Sequence, residues 1–105
     1  MNVTPLTYEI LVALADEDHH GYGIIKEIEG CGGSVPSTGA MYLALRRMQA
    51  EGLIRDVPTP VDSDARRRYY RITDEGRSAA KRQSERLAKL LASARSKKLL
   101  EEDAA

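Results

Sequence analysis

The chain has no tryptophan, no phenylalanine and one cysteine among 105 residues. Without the two bulkiest aromatics, its core must be assembled from Leu, Ile, Val, Met and Ala, which limits how much surface one copy buries alone and favours a partner subunit. Cys31 by itself allows neither an intramolecular disulfide nor a thiolate cage for a metal. It reads as a bystander thiol in a loop of a protein kept in a reducing cytoplasm. No apolar run approaches the roughly 20 residues of a membrane span, and no basic stretch followed by an apolar core opens the chain, so a cytoplasmic protein with no membrane partner is expected. Net charge is missing too, with 16 basic against 16 acidic residues.

The neutral total conceals an uneven distribution. Residues 1–30 hold six acidic residues and one Lys, residues 31–72 hold seven Arg against four acidic residues, and residues 73–105 hold eight basic against six acidic. Docking of a polyanion depends on the local field, so the basic middle is the place to look. Catalysis finds little support. Asp16, Glu17 and Asp18 run consecutively on a polar turn instead of facing each other across a cleft, and no Ser, Cys or Lys nucleophile stands beside a base. The adjacent His19 and His20 point in different directions and lack a third His or a thiolate, so they read as a turn locking two helices and not as a metal site; no cofactor is expected.

Within the basic middle, Val35 to Leu53 writes out one helix with both of its ends. Pro36 and the Ser37-Thr38 pair supply a bend and a hydroxyl cap, and Gly52 followed by Leu53 supplies a left-handed stop. The spacing predicts a helix over about 38–51, with Met41, Leu45 and Met48 inward and Leu53 closing on Met48. Tyr42 and Arg46 lie about 100° round from that stripe, with Gly39, Leu43 and Arg47 beyond. Together with the hydroxyls of Ser37 and Thr38, this outward face suits phosphates and base edges.

Two short helices precede it. Thr4-Pro5 is a capped start, and Leu6, Ile10, Leu11 and Leu14 carry a first helix to about Ala15. Gly21 begins a second, expected to bury Tyr22, Ile25 and Ile28 with Ile24 at the margin, and to stop at Gly30. Three short helices of which the last is basic outline a helix-turn-helix, although structural three-helix cores share that outline. Leu53–Val57 and Arg67–Ile72 then read as two strands around a loose tip, a wing on which Tyr70 and Ile72 face the body, with Arg68 sharing their parity, while Arg67, Tyr69 and Arg71 face out. Arg66 and Arg67 place positive charge beside the basic helix.

Thr73, Asp74 and Glu75 cap a fourth helix expected to run to about Leu100, followed by a frayed end. At 1.5 Å per residue it would be roughly 40 Å long, more than such a core can cover. Leu87, Leu90, Leu91 and Ala94 form its apolar cluster; with Leu6 and Tyr8 of a partner's first helix they are the expected dimer contact. The fold class is thus mainly α with a small β-hairpin wing plus a long C-terminal dimerisation helix, divided into a DNA-binding unit over 1–73 and a dimerisation helix and tail over 74–105.

His20-Gly21-Tyr22, the segment from Gly39 to Met48 with Glu51-Gly52-Leu53-Ile54, and the run from Arg66 to Arg77 together resemble the PadR family of transcriptional regulators, in order and over nearly the whole chain. The resemblance implies a winged helix-turn-helix repressor, dimeric through its C-terminal helix, bound to a pseudo-palindromic operator in double-stranded DNA and responsive to a small-molecule inducer or stress. One C-terminal helix places it with the shorter-tailed branch. The chain departs where the family has S-P-G-T-L-Y-P: Ser37, Thr38, Gly39, Ala40, Met41, Tyr42 and Leu43 lack two prolines and one threonine hydroxyl, which implies an altered operator preference. With no indole to stack on a planar ligand, Tyr8 or apolar residues of the first and fourth helices would serve an inducer. The competing reading is a winged-helix protein-interaction or oligomerisation module without specific DNA binding.

Overall fold

A computed structural model describes residues 3–101. Its elements are α1 (Pro5–Ala13), β1 (His19–His20), α2 (Gly21–Gly30), α3 (Thr38–Ala50), β2 (Ile54–Val57), β3 (Tyr69–Ile72) and α4 (Asp74–Ser96). The architecture is the mainly helical winged-helix fold expected, with one strand more than the hairpin. That part of the expected frayed tail which falls on residues 102–105 lies outside the described residues.

Each helix starts on a local cap. Thr4, Ser37 and Thr73 side chains accept from the backbone N–H groups of Thr7, Ala40 and Gly76, and at α2 the imidazole Nδ1 of His20 takes that part for Gly23. At the end of α3, Gly52 adopts φ 77°, a left-handed conformation that costs glycine nothing. Leu53 N–H then reaches back to Met48 O at 2.9 Å, and Gly52 N–H to Gln49 O at 3.1 Å. Both Met48 and Leu53 are fully buried, so the hydrophobic closure read from the sequence is in place.

The core joins Ile10, Leu11 and Leu14 of α1 and its cap to Ile24 and Ile28, to Met41, Leu45 and Met48, and to Leu53, Ile54, Tyr70, Ile72 and Ala79. Aliphatic side chains and one tyrosine supply all of it. Gly76 lets α4 approach: a Cβ there would run into the Leu53 carbonyl oxygen and crowd Ile72 Cγ1 at 3.0 Å and Leu11 Cδ2 at 3.1 Å. Thr73 fastens the same corner, donating its hydroxyl to Gly52 O at 2.6 Å and its N–H to Leu53 O at 3.1 Å.

Several expectations need correction. α1 ends at Ala13 and α4 at Ser96, both short of the sequence reading. In α2 the buried pair is Ile24 and Ile28, Ile25 is half-buried, and Tyr22 is 58 % exposed. Tyr22 and Ile24 are two positions, about 200°, apart on a helix, so both cannot face α1. The Tyr22 ring lies instead over the Lys26 ammonium at 5.3 Å and beside the His20 ring. His19 and His20 are more than a turn: they form an edge strand, giving an antiparallel sheet in the order β1-β3-β2 with His19 opposite Tyr70 and Ile54 opposite Ile72. The second wing strand starts at Tyr69, because a turn with Arg67 N–H on Asp64 O delays it. Tyr69 is accordingly half-buried, not exposed, its hydroxyl bonded to Ser63 Oγ at 2.9 Å. Arg68, outside the strand, faces solvent with a side chain 71 % exposed, reaching Asp56 at 3.8 Å.

Candidate nucleic-acid interface

The inward stripe of α3 is sealed: Met41, Leu45 and Met48 are each 1 % exposed. Its other face is bare. Tyr42 and Leu43 are each 59 % exposed, and Arg46 and Arg47 are exposed beside them. Ser37, Thr38 and Gly39 are exposed at the N-terminus of the helix, where the first backbone N–H groups lack partners inside the helix and carry the positive end of its dipole.

Tyr42 also borders a cleft of about 340 Å³ between the start of α2, α3 and the wing, walled by His20, Gly21, Tyr22, Tyr70 and the run Arg66-Arg67-Arg68. The expected contacts Tyr42, Arg66 and Arg67 therefore meet in one concavity. Arg46, Arg47 and the residues from Ser37 to Gly39 are not among its walls. The three arginines are held differently. Arg66 forms a two-pronged pair with Asp64, Nε to Oδ1 at 3.2 Å and Nη2 to Oδ2 at 3.1 Å, which holds the Asp64 carboxyl below its usual range. Arg67 Nη1 lies 2.9 Å from His20 Nε2. Arg71, the third residue of β3, is committed inside the molecule through a two-pronged pair with Asp18 at 3.0 and 2.8 Å that lowers the carboxyl pKa of Asp18.

His20 and Tyr22 were not among the contacts read from sequence. His20 ties the start of α2 to the wing. Its Nδ1 accepts the Gly23 N–H at 3.0 Å, while its Nε2 faces the Arg67 guanidinium. Burial, and then the charges of Arg67 and His19, lower the pKa of this imidazole. His20 belongs to the motif that suggested the family, yet its turn reading hid this role: the Arg67 that completes the arrangement is 47 residues away.

The expected dimer residues are divided. Leu6 is half-buried against its own core, and Tyr8 donates or accepts a 2.6 Å hydrogen bond with Ser84 Oγ, pinning α1 to α4 in the same chain. Leu90 and Leu91 are 64 % and 50 % exposed, with Leu87 and Ala94 half-buried. Val3, Thr4, Leu87 and Leu90 border an open groove of about 630 Å³ between the start of α1 and α4. No helix among the described residues is long and apolar enough to cross a membrane.

The fold is a winged helix whose third helix is basic and uncovered. Residues 10–82 match the family described as the transcriptional regulator PadR-like family. The chain belongs to that family. It is 40 % identical over 70 residues to the transcriptional regulator Rv3488 of Mycobacterium tuberculosis, a match covering 67 % of this chain and 64 % of that protein. The chain thus spans less than two thirds of the length of the curated relatives it matches. A PadR family transcription regulator from Clostridium difficile R20291 superposes with a TM-score of 0.75 at 26 % identity, covering 92 % of this chain and all of the other. Bacillus subtilis PadR, solved in complex with operator DNA, shares the fold with a TM-score of 0.66 at 22 % identity over 76 % of this chain and 46 % of that one.

Proposed function

We propose that this protein is a sequence-specific DNA-binding repressor that works in the cytoplasm as a homodimer on a pseudo-palindromic operator and is released by a small-molecule or stress signal. The observation that carries the reading is the side of the molecule shared by the bare face of α3 and the arginine-walled cleft. On it, Tyr42, Arg46 and Arg47 read the major groove, with Ser37, Thr38 and Gly39 on its phosphates. Arg66 and Arg67 reach the flanking backbone or minor groove. The family membership and the B. subtilis relative bound to operator DNA support this assignment.

Dimerisation falls to residues 74–105, with the core of 1–73 as the DNA-reading unit. One helix-turn-helix makes few contacts, so two copies held about 34 Å apart, one turn of duplex, are needed for specificity. Leu90 and Leu91, exposed on α4, with Leu87 and Ala94, supply the surface that meets Leu6 and Tyr8 of the first helix of the second copy. An inducer bound there would change the spacing of the two reading heads by preferring one angle between subunits.

Gel-shift titration against the DNA upstream of its own gene, at two salt concentrations, tests the assignment. The expected result is a tight complex on that DNA, a weaker one on unrelated duplex, and affinity that falls steeply with salt in both. Equal, salt-insensitive or absent binding would overturn it in favour of a protein-interaction module.

A further inference from the structure

On the side of β1 opposite His20, the neighbouring His19 meets two carboxylates from other parts of the chain. Its Nε2 lies 3.5 Å from Glu17 Oε1, in the turn before the strand, and 3.7 Å from Glu27 Oε1, on α2. One ligand atom from each of the three residues lies within 4.8 Å of both others. We propose that Glu17, His19 and Glu27 bind a divalent first-row transition ion of the zinc, cobalt or nickel type.

Three features carry this. Nε2 is fully buried and has no hydrogen-bond partner, a polar atom left unsatisfied at a cost the fold otherwise avoids. It is also the atom that faces both carboxylates. Second, metal bonds of about 2.0–2.2 Å to nitrogen and carboxylate oxygen require ligand atoms some 3–4 Å apart, which is how Nε2 already stands to each carboxylate. Third, the ring is held in advance: it packs against the bare backbone of Gly23, where a Cβ would sit 3.0 Å from Nδ1. The side chains of Glu17 and Glu27 are 67 % and 49 % exposed, so an ion enters from solvent and keeps open positions for water. One imidazole with two carboxylates suits zinc, cobalt or nickel better than calcium or magnesium, which take oxygen donors. The ion would tie the turn ahead of β1 to α2. Because strand alternation places it across β1 from the cleft, this site stands apart from the DNA reading, and either can fail without the other. The sequence reading weighed the two histidines as a pair; the partners of His19 are acidic residues from a turn and a helix.

The test uses the full chain, stripped with chelator, in a Cys31→Ser background so that the exposed thiol contributes nothing. Zinc binding is followed by calorimetry and cobalt binding by its visible spectrum. One ion per chain is expected, with affinity reduced about tenfold or more by His19→Gln and by the Glu17→Gln/Glu27→Gln double variant, and little changed by His20→Asn. The double variant alters only exposed side chains and keeps the test valid if His19→Gln does not fold. No stoichiometric binding, undiminished binding in the double variant, or a loss that follows His20 instead of His19 would overturn the site.

Discussion

The two halves of α4 are one continuous helix with opposite commitments. Near its start Gly76 and Ala79 are buried against α1, the α3 stop and the sheet, and Thr73 fastens the first turn to Gly52 and Leu53. Beyond Leu87 nothing is buried, although Leu90 and Leu91 are as apolar as anything in the core. Every leucine of the helix lies in its uncovered half, so it is the presence of a covering surface and not hydrophobicity that separates the two. α3 repeats the contrast across its width, with Met41, Leu45 and Met48 sealed and Tyr42 and Arg46 bare. In both helices the part left uncovered is the part available to a partner.

The sharpest way to break this contrast is Leu91→Glu. At a half-exposed position the change should move the stability of the single chain by less than about 0.5 kcal/mol. In a dimer it buries a charge without a partner. Sedimentation should show monomer with unchanged circular dichroism, and operator binding should be lost; a dimer that still binds operator would remove the tail from the interface.

Gly76→Ala strikes the covered half. The added methyl meets backbone, which cannot rotate aside, so a loss of about 1–3 kcal/mol is expected despite the higher helix propensity of alanine. Urea unfolding measures it, and an unchanged midpoint would show that the corner is looser than described.

On α3, Arg46→Ala should leave stability alone and weaken operator binding by about 1–3 kcal/mol, relaxing preference at one base. A uniform loss on every sequence would make Arg46 a phosphate contact. His20 sits on the boundary, capping α2 with one nitrogen and facing the cleft with the other, and gives the smallest effect. Its pKa is lowered in the fold, so the unfolded chain takes the proton first. Its contribution to stability is therefore whole above about pH 6.5 and is lost as pH falls through the lower folded value. His20→Asn retains a capping acceptor and should flatten that part of the melting-temperature profile. An unaltered slope would place the titration elsewhere.

What could be read in advance follows the range of the interactions. Both ends of α3 were legible because Ser37, Gly52 and Leu53 act within a few residues of the groups they satisfy. β1 was not, since two residues become a strand only through pairing with Tyr69 and Tyr70 some fifty positions on. The Asp18–Arg71 pair, 53 residues apart, was hidden for the same reason. Tyr22 was misplaced by treating tyrosine as apolar when an isoleucine two positions on held the inward direction. In the candidate interface, the outward residues of α3 were legible from helical phase, whereas the closing of the cleft by His20 and the freeing of Arg68 by a delayed strand depended on tertiary geometry.

Thr73 has a mechanical consequence. A single residue receives the chain from β3, starts α4, and holds the carbonyls of Gly52 and Leu53 where α3 stops. α3 and α4 are thus pinned to one another at a threonine. The longer of the two, 23 residues, extends about 34 Å at 1.5 Å per residue. Over that length a tilt of about 5° at the corner corresponds to some 3 Å at the far end, so the fit of the first turns sets where the tail lies.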